Sequence, residues 1–291
     1  MTTSATDAAP PTRRAHLAGP SRRLDLRVHA VRPDLADIAL AGTVIAPRFA
    51  DGVIMRGGVA SAMLRASPDD AAVAVSALLY GETFTVFDLA HGWAWGQCRH
   101  DSYVGWLRAG ALGPGAGSAT HVVVAPTATI FAAPDIKARV LGTLPLNARL
   151  AGTSAGAEFI AAAGGYVHHR HVAVVDAVAG TPATVALGFI GTPYVWGGRT
   201  RDGIDCSGLT QAVLMACGID CPRDSDQQRD RFPRVEAAAR RRGDLAVFPG
   251  HIGILADPLT LIHATAHSMT TIVEPLADVA ARVAPAGFHR P

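Results

Sequence analysis

Lysine is nearly missing from this chain: Lys137 is the only one, and arginine carries the rest of the basic side-chain charge. Charged residues are 17% of the total and the net charge is +2, so no single-sign field exists to follow a nucleic-acid backbone. The longest basic run, Arg240 to Arg242, is too short for that and reads as a solvated face. Cysteine is scarce as well. Cys98, Cys206, Cys217 and Cys221 suit free thiols in a reducing compartment rather than a disulfide framework. Cys217 and Cys221 have the spacing of a metal half-site, but no second pair of ligand spacing accompanies them, so no metal is expected. Long apolar runs are absent; none nears the ~20 residues that cross a bilayer. Residues 1–11 have neither the basic nor the apolar segment of a secretory leader. The expectation is a cytoplasmic protein with no membrane or nucleic-acid partner.

What is present is a large apolar fraction, 49% of 291 residues. That is enough for two or three folded domains at roughly 100–200 residues each. Residues 1–23, rich in Ser, Thr, Ala and Pro, read as a mobile arm. Pro33 to Ala41 has proline near a first turn and an apolar face of helical period, which predicts a short helix. From Ala71 to Leu112 short alternating runs follow one another: Thr83 to Asp88, Gly92 to Cys98 and Tyr103 to Leu107. They predict a small barrel. A similar texture runs from His121 to Asp176, with Gly-Tyr where the first has Gly-Trp, and makes a weak internal repeat. The chain divides accordingly at 24–115, 116–178 and 179–291.

The last segment carries the chemistry. Pro182 to Ile190 is expected as a helix, and a Gly-rich approach from Gly191 leads to a second helix over Ser207 to Cys217. Cys206 then sits at a helix N-terminus, where the helix dipole favours the thiolate. A thiol nucleophile needs a histidine to move its proton. His251, in a strand-like run after Gly250, is expected as that base and then as the acid for the leaving amine. His263 falls on the neighbouring antiparallel strand, where it would hold the far nitrogen of the base. His267, in a Thr/Ser-rich turn, competes for that orienting role. The backbone N–H of Cys206 is a natural oxyanion donor. Tyr194 either adds its hydroxyl there or contacts substrate, and Trp196 either packs or contacts substrate. A helix with the nucleophile followed by antiparallel strands is an α+β fold.

Asp205-Cys-Ser-Gly-Leu209, preceded by Tyr194-Val-Trp-Gly-Gly198 and followed by Gly250-His-Ile-Gly253 and Ile262-His-Ala264, resembles the NlpC/P60 cysteine peptidases. Leu79-Tyr-Gly-Glu82 and Asp101-Ser-Tyr-Val-Gly-Trp106 resemble the bacterial SH3-like domains found ahead of them. The whole layout is similar to cytoplasmic dipeptidyl-peptidases that cut murein peptides after the γ-D-glutamyl residue. The resemblance implies a papain-like catalytic domain behind two small SH3-like β-barrels, no cofactor, and Cys206, His251 and His263 as catalytic residues. It places Asp205, Ser207 and Ser225 against the γ-D-glutamyl residue, with Tyr194 and Trp196 nearby. Glu82 and Tyr103 would hold the free amine of an N-terminal L-Ala, a buried ammonium needing a counter-charge. Otherwise Glu82 is a solvated turn acid. The reaction implied is hydrolysis of the γ-D-glutamyl–diamino acid bond, releasing L-Ala-γ-D-Glu. The alternatives are an endopeptidase on intact peptidoglycan, a non-catalytic wall-peptide-binding protein, and an acyl-transfer relative using the same thiol.

Overall fold

The computed structural model describes residues 24–115 and 117–291, and the arm expected over 1–23 lies outside the described residues. Seven antiparallel strands make the first unit: β1 Val53–Gly57, β2 Ser61–Arg65, β3 Ala74–Leu79, β4 Thr83–Ala90, β5 Trp93–Cys98, β6 Val104–Arg108 and β7 Leu112–Pro114. Their order is β3-β2-β6-β5-β4-β1-β7. Alternation along β4 turns Phe84 and Val86 inward onto Leu64, Leu78, Ala94 and Leu107. The three runs expected here are β4, β5 and β6, while β1 and β2 extend the unit upstream of Ala71. The helix expected over 33–41 shrinks to a single 3-10 turn, Ile38–Leu40. Ala36–Asp37 pairs in parallel with Phe49–Ala50, which commits that stretch to a strand partner, and Leu35 packs with Ala30 on Trp95.

The second unit has strands β8 His121–Val123, β9 Thr127–Phe131, β10 Val140–Pro145, β11 Arg149–Leu150, β12 Thr153–Ala155, β13 Phe159–Ala162, β14 Gly165–His168 and β15 Val172–Val174. They form two small sheets, ordered β11-β8-β15 and β10-β9-β14-β13-β12, around Val123, Leu144, Leu150 and Val167. Strand β14 stops at His168, where the chain turns into a 3-10 segment, His169–His171.

The third unit sets helices α1 Pro182–Leu187, α2 Cys206–Ala216, α3 Ser225–Arg231 and α4 Leu276–Arg282 with six antiparallel strands. These strands are β16 Arg234–Val235, β17 Leu245–Phe248, β18 His251–Asp257, β19 Thr260–Thr265, β20 Thr270–Pro275 and β21 Gly287–His289, ordered β16-β21-β17-β18-β19-β20. Helix α2 is buried along nearly its whole length and lays Leu209 and Val213 with Ile252, Ile254 and Ile262 in one core. A helix covered on all sides can carry apolar residues all round, as this one does. Ser225 opens α3, because Asp224 and Gln227 form a capping box there. The whole is a mixed α+β molecule. No helix among the described residues is long and apolar enough to cross a membrane.

Candidate active site

Cys206 is fixed by the residue before it. Asp205 caps α2, taking the Gly208 N–H on Oδ1 at 2.7 Å and the Gly197 N–H on Oδ2 at 2.8 Å. Arg223, itself buried, donates to both oxygens at 3.0 and 2.7 Å and to the Ser207 hydroxyl at 2.8 Å. Gly208 has to be glycine: a Cβ there would stand 2.2 Å from the Gly198 carbonyl oxygen. The Gly-Gly approach is thereby clamped to the helix start. The same contacts revise the role expected of Asp205, whose oxygens face the cleft but are already spent on internal donors.

Three consecutive strands then place a chain of polar groups. His251 opens β18, His263 lies in β19 and Glu274 in β20. His251 Nε2 is 2.7 Å from His263 Nδ1, and His263 Nε2 is 2.7 Å from Glu274 Oε1. His267 is exposed in the following turn, so His263 is the histidine against His251. Glu274 went unnoticed in the sequence. Its Oε1 also accepts from Arg282 of α4 at 2.5 Å.

Burial dominates the titration of the nucleophile. It pushes the Cys206 thiol up to about 11, with the Asp205 carboxylate acting in the same sense; the Ile252 and Ser207 N–H groups and Arg223 pull it back only in part. Burial likewise lowers His251 to about 4, helped by His263. Both shifts run toward neutral thiol and neutral imidazole, against the thiolate that the helix dipole alone would favour.

A cleft of about 360 Å³ opens above the thiol. Tyr103, Trp196, Asp205, Ser207 and Ser225 line it together with Cys206. Trp196 is largely exposed, 64%, and forms the rim. Tyr194 is half-buried outside this lining, its hydroxyl pushed up to about 12 by burial and by the neighbouring Cys206 and Asp205 charges. Sequence reading missed Arg27, Asp224 and Asp226 on the same cleft. Tyr103 donates its hydroxyl to Asp224 Oδ2 at 3.0 Å, and Arg27 bridges Asp224 and Asp226 at 2.8 to 2.9 Å. Polar turns and single arginines carry no period, so only the three-dimensional contact marks them.

Glu82 is not part of that wall. It is 2% exposed and holds Arg199 through two 3.0 Å bonds while accepting the Leu79 N–H at 2.8 Å. Instead of lining the cleft, where the substrate amine was expected to meet it, its side chain is paired with an arginine 117 positions away. Among the described residues one grouping, Cys98 with His100 and Asp101, has metal-ligand spacing. His100 there lies 3.2 Å from Asp101 and 3.8 Å from Glu82, so the Arg199 guanidinium already brings positive charge to this cluster. Cys217 and Cys221 are both free thiols.

Residues 191–280 match the family model described as NlpC/P60 family, and residues 64–112 match the bacterial dipeptidyl-peptidase Sh3 domain. The chain is thus similar to the NlpC/P60 family over its last unit. Dipeptidyl-peptidase 6 of Lysinibacillus sphaericus is 39% identical to it over 82 residues, covering 28% of this chain and 30% of that one. Gamma-D-glutamyl-L-lysine dipeptidyl-peptidase of Bacillus cereus is 40% identical over 60 residues, covering 21% and 18%. The match thus spans less than a third of the length of either relative. An NlpC/P60 family protein from Bacillus cereus, solved by crystallography, shares the fold with a TM-score of 0.72 at 20% identity, over 82% of this chain and 99% of that one. The molecule thus sets an NlpC/P60-type unit behind a β-rich SH3-type region.

Proposed function

We propose that this protein is a cysteine peptidase that hydrolyses the γ-D-glutamyl–diamino acid bond of murein-derived peptides with a free N-terminal L-Ala, releasing L-Ala-γ-D-Glu. The observation that carries this reading is the wall facing Cys206 in the cleft, built by Tyr103, Asp224 and Arg27 from three separated parts of the chain. At about 360 Å³ the cleft is near the small end of the ~300–1,000 Å³ range of ligand pockets, which suits a short acyl portion and not a glycan strand. Asp25, Asp224 and Asp226 surround the single Arg27 guanidinium and leave the wall negative. An ammonium entering there meets its counter-charge in Asp224, the role first expected of Glu82.

In this reading the Cys206 proton passes to His251 as Sγ attacks the γ-glutamyl carbonyl. The Cys206 N–H, at the start of α2 with no intrahelical acceptor, receives the oxyanion. His251 then returns the proton to the leaving amine, and water releases the acyl group by the reverse sequence. The proposal includes a papain-like arrangement of the catalytic unit, an SH3-like second unit, and a cytoplasmic site of action, supported by four free cysteines. The printed name of the Bacillus cereus relative supports a diamino acid after the scissile bond.

The test is mass spectrometry of products from L-Ala-γ-D-Glu-meso-diaminopimelate, of the L-Lys version, and of their N-acetylated twins. Cleavage confined to free-amine peptides, and abolished in Cys206→Ala, is the expected result. Asp224→Asn should lower kcat/KM for those peptides by about 10–100-fold, the worth of a charged hydrogen bond. Equal cleavage of the acetylated twins would sink the amine-gated reading and leave an endopeptidase.

A further inference from the structure

Behind the two histidines stands a carboxylate to which nothing above assigns a function. Glu274 Oε1 lies 2.7 Å from His263 Nε2, and His263 Nδ1 lies 2.7 Å from His251 Nε2. We propose that Glu274 is a positioning residue that fixes the tautomers of both histidines and thereby leaves His251 Nδ1 as the atom that accepts the Cys206 proton. The inference rests on Cys206 and His251 as nucleophile and base, and not on the identity of the substrate.

An ionised carboxylate only accepts hydrogen bonds, so His263 Nε2 must carry a hydrogen. Burial works against ionisation of Glu274, but the Arg282 bond and His263 together hold its carboxyl below the usual range. His263 is kept neutral chiefly by burial, and its Nδ1 is then a lone pair. A lone pair 2.7 Å from His251 Nε2 requires that nitrogen to be the N–H. His251 is neutral as well, which leaves Nδ1 unprotonated. The charged and titratable groups that act on this row are Arg282 from α4, on both histidines and on Glu274, and His267 from the turn after β19, on His263. Arg282 carries donors only, so it offers the His263 Nε2 hydrogen no competing acceptor. During the reaction the thiol proton moves to His251 Nδ1 and the electron pair stays on sulfur; His263 remains neutral and Glu274 takes no proton.

An amide at 274 would break the filter, because it can donate to His263 as easily as accept from it. Donation reverses both tautomers and points a hydrogen, instead of a lone pair, at the thiol. In Ser-His-Asp enzymes the comparable acid-to-amide change costs about 10⁴ in kcat through the wrong tautomer. One ring further from the base, the expected loss is about 10–100-fold, below the roughly 10²–10⁴-fold of a whole general-base contribution.

The experiment is nitrogen-15 imidazole NMR of the full chain at neutral pH, with Cys206 alkylation by iodoacetamide followed at the Cys206 peptide. Wild type should show His251 with Nε2 protonated and Nδ1 free. Glu274→Gln should give mixed or reversed tautomers and lower kcat without raising KM, while Glu274→Asp restores most of both. A wild-type His251 bearing its hydrogen on Nδ1 would overturn the proposal outright, even if every variant misfolds. Wild-type tautomers and kcat in folded Glu274→Gln would overturn it too. Failure of the chosen peptide as substrate leaves the NMR and alkylation results standing and touches only the function proposed above.

Discussion

At Cys206 two effects of opposite sign meet: the first turn of α2 favours a thiolate, and desolvation favours the thiol. Burial prevails in the unliganded site and leaves the thiol near 11 beside a histidine near 4. Alkylation of Cys206 by iodoacetamide should therefore rise about tenfold per pH unit through neutrality and level off only near pH 11. A rate already flat between pH 5 and 8 would mean a resting ion pair and contradict this ordering. His251 titrates at the other end: its folded value lies below the ordinary one, so its neutral form persists until pH falls toward about 4. The residues of this pair were legible in the sequence, because Asp-Cys-Ser-Gly and Gly-His-Ile-Gly are local strings. Their protonation was not, since desolvation comes from β18 and β19 folding over α2. Glu274 escaped for a related reason. Nothing local sets it apart from a strand acid at a solvated edge until β20 pairs with β19 and brings it to His263.

Elements were read best where a period was long enough to see. α2 and the strands β17, β18 and β19 were all anticipated; the strands turn Leu245, Val247, Ile252, Ile254 and Ile262 onto α2 and Ala246, Phe248, Leu255 and Leu261 onto the opposite core with α4. α3 was not, because of its seven residues only Gln228 is buried, and a polar turn of helix shows no apolar stripe. The segment before the first unit was misread as helical for the opposite reason: its period is real, but Ala36–Asp37 finds a strand partner in Phe49–Ala50. That segment also brings Arg27 to α3. Arg27 is 38% exposed and pairs with Asp25, Asp224 and Asp226, which makes it a clasp across the cleft wall. Exposed pairs of this kind contribute about 0–1 kcal/mol, so Arg27→Ala should hardly move the unfolding midpoint. It should nonetheless speed amide hydrogen exchange over residues 24–31 and raise KM for the free-amine peptide, since the wall loses its brace. Unchanged exchange in that stretch would show that the backbone bond from Val104 N–H to the Arg27 carbonyl is sufficient by itself.

Across the whole molecule, the first unit and the catalytic unit are joined by an ion pair that neither could satisfy alone. Arg199, 1% exposed and ahead of the nucleophile, reaches into the first unit to Glu82 and to the Ala77 carbonyl at 2.6 Å. Removing one partner of a buried pair strands the other and costs about 3–5 kcal/mol, whereas replacing both by apolar groups is often close to neutral. Glu82→Gln and Arg199→Met should each lower the urea midpoint strongly, and Glu82→Leu with Arg199→Met should recover much of that loss. The same series separates the two carboxylates that the sequence could not tell apart. If Glu82 is the brace between units, whatever Glu82→Gln enzyme remains folded keeps its preference for a free amine over the acetylated twin. If Glu82 were instead the amine's counter-charge, that preference would collapse while the urea midpoint stayed put. The buried bidentate pair with Arg199 favours the first outcome, because a carboxylate committed to a guanidinium on both oxygens has little left to offer a ligand.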